Sequence, residues 1–117
     1  PQSAIPHFRR FVRKIGWQIT EEKMVLEDGK FYPMMKVIHG EKMHISEDTP
    51  YTLDEWFGGM LLERKHPVLR EYLERELRIR NEILDRLKNA PNAEKRAGEI
   101  EEEKQAVIAA LEEYEGI

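Results

Sequence analysis

Residues 23–46 read KMVLEDGKFYPMMKVIHGEKMHIS, and the Asp28-Gly29 pair inside them decides how the chain is built. Asp-Gly suits the positive backbone angles at both central positions of a type I′ turn, whose twist matches that of the strands it joins. Such a turn sets Leu26 opposite Phe31 and Val25 opposite Tyr32. A second turn at His39-Gly40-Glu41 then places Val37 opposite Met43 and Met35 opposite Ile45. The pattern predicts a three-stranded antiparallel meander with Met24, Leu26, Phe31, Met35, Val37, Met43 and Ile45 on its core face. Pro33 has no N–H, so that side of its strand should point away from a partner or bulge. The other face carries Val25, Tyr32, Met34 and Ile38, more apolar residues than a wetted sheet requires.

Upstream of the strands, Phe8, Phe11, Val12 and Ile15 fall at i, i+3, i+4 and i+7, one side of a short helix that Gly16 stops. Arg9, Arg10, Arg13 and Lys14 stand among them with no acid before Glu21. Residues 1–16 therefore read as a basic arm. If the arm is only structural, its aromatic side packs on the sheet and its cations stay in water. If it is functional, Arg9, Arg10, Arg13 and Lys14 meet phosphates while Phe8 or Trp17 stacks on an unpaired base. The same residues would also suit an anionic membrane surface, or an acidic surface of the same molecule or a neighbour.

Downstream, Thr52-Leu53-Asp54-Glu55 fits a capping box opening a helix over 52–65. Gly58-Gly59 costs that helix about 2 kcal/mol relative to two alanines and predicts a break. Pro67 suits the first turn of a new helix running to about Lys88. Its leucines 69, 73, 77, 84 and 87 share one side, and Tyr72, Ile79 and Ile83 lie a quarter turn away. After the break at 89–92, Ala93, Ala97, Ile100, Lys104, Val107, Leu111 and Tyr114 repeat at heptad spacing with one lysine inside. Residues 67–115 are expected as an antiparallel helical hairpin in which partners sum to about 180, so that a rim-facing Glu76 meets Lys104.

The chain has 117 residues, of which 40% are hydrophobic and 36% charged, with no cysteine and a net charge of −4. That is one domain's worth of chain with apolar content for a modest core. It excludes thiolate chemistry and disulfides, and no run of about 18 apolar residues is present to span a bilayer. Residues 1–45 hold eight Lys and Arg against five acids, and residues 46–117 hold eleven against eighteen, so a basic arm precedes an acidic body. His39 and His44 enclose Glu41, but metal sites need three or four convergent ligands. No phosphate-binding glycine loop, nucleophile elbow or zinc motif occurs.

The resulting expectation is one α+β domain over 1–117: arm 1–16, meander 17–48, helix 52–65 and helical hairpin 67–115. Its function reads as a non-catalytic protein-interaction or assembly subunit, with no cofactor or metal. The interface would use Val25, Tyr32, Met34, Ile38, Tyr72, Ile79 and Ile83, and the partner would be a protein or a second copy. The alternative is a nucleic-acid-binding accessory protein using Arg9, Arg10, Arg13, Lys14 and Trp17, and an enzyme without a recognisable motif comes third. The chain reads as soluble, with an intracellular location favoured.

Overall fold

The structure, a computed structural model, describes residues 4–42 and 49–115. In chain order it has α1 (Ala4–Lys14), β1 (Trp17–Glu27), β2 (Lys30–His39), α2 (Leu53–Phe57), α3 (Gly59–Glu63), α4 (Pro67–Leu87) and α5 (Glu94–Tyr114). Asp28 and Gly29 take φ of +51° and +76°, the two left-handed positions a type I′ turn demands. The register runs as the turn dictates, with Glu27 opposite Lys30, Leu26 opposite Phe31 and Val25 opposite Tyr32.

The three-stranded meander is corrected to a two-stranded antiparallel sheet, β1 with β2, among the described residues. β1 begins at Trp17, so Val37 finds its partner in Ile19 and Met35 in Glu22, with a bulge between Ile19 and Glu21. The strand expected around Met43 and Ile45 falls on residues 43–48, which lie outside the described residues. One sheet face turns inward with Glu22 and Met24 buried, whereas Leu26, one pair from the turn, is exposed. Met24 joins Phe57, Leu61, Leu62, Leu69, Leu73, Val107 and Ala110 in the core.

The helices start and stop where local chemistry says they should. Thr52 accepts from the Glu55 N–H, and the Glu55 carboxylate accepts from the Thr52 N–H, closing the capping box of α2. Gly58, at φ +92°, separates α2 from α3, and a Cβ placed there would stand 2.7 Å from a Glu22 carboxylate oxygen. Pro67 sits in the first turn of α4, where His66 Nδ1 accepts from the Val68 N–H at 3.2 Å.

α4 and α5 run antiparallel, and the Tyr114 hydroxyl donates to the His66 carbonyl at 2.7 Å. The expected rim contact of Glu76 with Lys104 does not form. Glu76 is buried and accepts from Arg80 at 2.8 Å, and Arg80 also reaches Glu103 at 3.1 Å. Arginine wins because it stands one turn along the same helix and its forked donors serve two carboxylates at once.

Candidate nucleic-acid interface

The basic arm departs from its expected amphipathic reading: of the apolar side, Val12 is buried, but Arg9 and Arg10 go inside with it. Arg9 and Arg10 are 2% and 6% exposed, while Phe8 and Phe11 are 45% and 50% exposed. Arg9 Nε donates to Glu22 Oε1 at 3.0 Å and Arg9 Nη1 to the Glu55 carbonyl at 2.9 Å. Arg10 grips the Glu55 carboxylate with two parallel bonds of 2.8 and 2.7 Å and reaches the Pro50 carbonyl at 2.9 Å, its guanidinium lying 4.5 Å from the Tyr51 ring centre. A buried cation is tolerable only when paired and hydrogen-bonded, and these acceptors supply that requirement.

Two of the five residues expected to meet a polyanion are therefore committed inside the molecule. Burial pulls the Arg9 guanidinium below its ordinary value, opposed by Glu22. The hydrogen bonds from Arg10 hold the Glu55 carboxyl below the usual carboxylate range, and burial works the other way. Glu22 sits on the inward face beside Met24, and Glu55 ends the capping box. A charge at a core-parity strand position was the sequence signal for this arrangement.

The remaining cations gather at the corner where α1 enters β1. Arg13 keeps more than a third of its side chain exposed while it touches Glu55 at 3.5 Å. Arg13, Trp17, Gln18, Ile19, Glu41 and Lys42 line a groove of about 500 Å³, with the Trp17 ring exposed and 6.1 Å from that of His39. Lys14 lies half-buried in the last turn of α1. Gly16 brings this corner together: at φ +91°, a Cβ there would meet the Gly40 carbonyl and the Lys42 N–H, both at 2.8 Å. That backbone contact places Lys42 beside Arg13, a residue that reading α1 alone overlooked.

The expected apolar interface divides into two parts. Val25, Tyr32, Met34 and Ile38 are 38–49% exposed on the outer sheet face. Tyr72 turns inward to meet the Phe31 ring edge-on at 5.3 Å, and Ile79 and Ile83 are half-buried on α4. Burial pushes the Tyr72 hydroxyl up to about 12. A larger cleft, about 1100 Å³, separates this body from α5, and Glu76, Glu99, Glu102 and Glu103 line it with Arg9, Arg10, Arg80 and Arg96. His44 lies outside the described residues, and among those described no three potential metal ligands converge.

Comparison with known proteins identifies a class of RNA-modifying enzymes. Residues 1–112 match the family model described as TrmK, tRNA (adenine(22)-N(1))-methyltransferase, and the chain belongs to that family. No curated protein matches the sequence. Among solved structures, an uncharacterized protein of Listeria monocytogenes serotype 4b is similar at a TM-score of 0.78 and 21% identity, over 92% of this chain and 47% of that one. M. capricolum TrmK, in complex with the cofactor product S-adenosyl-homocysteine, is similar at 0.73 and 19%, over 96% and 46%. A Streptococcus agalactiae protein described as belonging to the NADB-Rossmann superfamily is similar at 0.71 and 18%, over 92% and 44%.

These likenesses show that the described residues share the fold of part of those chains, a two-stranded antiparallel sheet with five helices in place of the three-stranded meander. The chain spans less than half the length of each of them. The family match overturns the reading of a non-catalytic adaptor or assembly subunit leaning away from catalysis, because the family is one of enzymes. The nucleic-acid alternative stands closer to it. Among the described residues no helix is long and apolar enough to cross a membrane.

Proposed function

We propose that this chain is the RNA-handling part of an enzyme that transfers a methyl group to N1 of an adenine in tRNA, at nucleotide 22. The observation that carries the reading is the family match over residues 1–112. Arg13, Lys14 and Lys42 contact tRNA phosphates at the α1–β1 corner, and Trp17 offers a face on which a splayed base stacks.

The described residues do not fit the methyl donor. Rossmann folds hold such cofactors at the carboxyl ends of parallel strands, beside a glycine-rich strand-to-helix turn. Here the strand pair is antiparallel. Gly16 joins a helix to a strand, Gly29 sits in the hairpin turn, Gly40 follows β2 without a helix directly after it, Gly58 lies between two short helices, Gly59 opens the second of them and Gly98 is inside α5. No step of methyl transfer is therefore assigned to this chain's residues.

The test is methyl transfer from labelled S-adenosyl-methionine by the native polypeptide that contains residues 1–117, with the modified nucleotide mapped by mass spectrometry. N1-methyladenosine at position 22 is expected, and no transfer, or transfer elsewhere, overturns the reading. Arg13→Gln with Lys42→Gln should raise KM for tRNA, leave kcat unchanged and flatten the log–log salt dependence of binding by roughly 1.5–2. An unchanged salt slope would remove the groove from the RNA contact.

A further inference from the structure

Gly58 marks the point where the chain passes from its N-terminal body, α1, β1, β2 and α2, to the helices α3, α4 and α5. It separates α2 from α3, two helices of five residues each, well below the roughly twelve at which a helix holds itself in water. The angle between them is therefore set by what touches them. Gly58 takes φ +92° and ψ +111°, a conformation open to glycine and strained for other residues, and its N–H and carbonyl are bonded to Asp54 on one side and Leu62 on the other. Glu22 of β1 spans the break. It is 4% exposed, its Oε1 accepts from Arg9 Nε of α1 at 3.0 Å, and its Oε2 accepts from the Met60 N–H of α3 at 3.2 Å. Arg9 Nη1 completes the node by donating to the Glu55 carbonyl of α2 at 2.9 Å. Four elements meet at one ion pair.

Apolar packing supplies a pivot beside that node, where Met24 of β1 and Phe57 of α2 join Leu61, Leu69 and Leu73 in the core. Past the pivot the two bodies part. The cleft of about 1100 Å³ opens there, with Met24, Phe31 and Pro33 on one wall and Arg80, Glu99 and Ala106 on the other. We propose that the Arg9–Glu22–Met60 node is an ionic latch that holds the cleft at one width, and that α4 and α5 swing together about Gly58 when it is released. The latch is discrete, because a swing that parts Met60 or Arg9 from Glu22 leaves a buried carboxylate short of a donor. Its leverage is long. The 21 residues of α4 span roughly 30 Å, so a turn of about 10° at the joint moves the far end by about 5 Å. The inference does not rest on the tRNA reading, since every contact it uses lies within the described residues.

The experiment measures the width of the cleft. In the native polypeptide, p-acetyl-phenylalanine replaces exposed Lys30, beside Phe31 at the hairpin turn, and exposed Lys95, beside Arg96 on α5, and both carry nitroxides for double electron–electron resonance. The parent should give one narrow distance. Glu22→Gln offers a carbonyl to one donor while its NH2 confronts the other, so the distance should shift or spread by about 5 Å. Arg9→Lys keeps the charge without the planar fork that reaches Glu22 and Glu55 together, and should act the same way. Gly58→Ala removes no ionic group but sets a Cβ 2.7–2.9 Å from the Glu22 carboxylate atoms, and should reproduce the effect. Lys104→Leu, away from the node, should leave the distance where it was. Circular dichroism shows which variants fold, and where Glu22→Gln does not, Arg9→Lys and Gly58→Ala give the answer. A broad or double distance in the parent, an unchanged distance in any folded variant of the three, or an equal shift in Lys104→Leu overturns the proposal. Failure of all three to fold would make the node a structural support and overturn the latch as well.

Discussion

The two ends of the chain differ in how much apolar surface they leave outside. In α4 and α5, Leu69, Leu73, Ile100, Val107 and Ala110 go inside with the single paired cation Arg80 and its Glu76, and the helices close mainly against each other and the adjoining core. In α1 and the β1–β2 hairpin Arg9 and Arg10 go inside with Val12 and Met24, while Phe8, Phe11, Tyr32 and Met34 face outward. Apolar area removed from water stabilises by about 25 cal/mol per Å², so the helix pair gains its stability from within the described residues. The N-terminal region adds two buried arginines with their carboxylates and leaves more apolar area uncovered.

Four changes test that contrast, beginning with the strongest. Arg10→Ala strands the Glu55 carboxylate in a buried site and should cost about 3–5 kcal/mol, measured by chemical denaturation. A loss below about 1 kcal/mol would mean that the ionic side of the comparison is decorative. Gly58→Ala should cost about 1–3 kcal/mol, since its φ is strained for an L side chain and its Cβ would press on Glu22. A thermal midpoint equal to that of the parent chain would show that the Glu22 corner yields freely.

The two regions should also part company with pH. Glu55 has a depressed value, so its contribution is complete above the ordinary carboxylate value and is lost as pH falls through the lower folded one. Burial raises the Tyr114 hydroxyl to about 12. Its contribution is complete below about 10 and is lost as pH rises from there through about 12. Hydrogen exchange should therefore open α1 and α2 first in acid, and the His66–Tyr114 end of the helix pair first in alkali. The reverse order would break the contrast.

The smallest effect belongs to Lys104→Leu. With Glu76 and Glu103 served by Arg80, Lys104 carries no buried charge partnership, and the change should stay within about 0.5 kcal/mol. A large loss by calorimetry would make Lys104 a partner after all and reopen the α4–α5 register.

Local chemistry was legible without coordinates. Asp28-Gly29, the Thr52–Glu55 capping box, the Gly58 break and Pro67 all act over a few residues, where backbone sterics and near-neighbour hydrogen bonds decide the outcome. The groove was half legible: Arg13 and Trp17 stood out, whereas Lys42 joined them only through the Gly16–Gly40 backbone contact. The rotation of α1 was the reading that failed. Its seven-residue apolar spacing and its arginine cluster occupy neighbouring faces, and periodicity ranks the apolar face as the inner one.

What the sequence determined by itself is thus the set of turns, caps and breaks, together with the surplus of apolar residues on the outer sheet face. Only the tertiary structure decided which side of α1 faces inward, because Glu22 and Glu55, 13 and 45 residues from their arginines, converge on that helix solely in the folded chain. It likewise decided that Arg80 and not Lys104 serves Glu76. In both places the deciding quantity is whether a buried charge meets a complete set of partners, and that depends on residues distant in sequence arriving at one point in space.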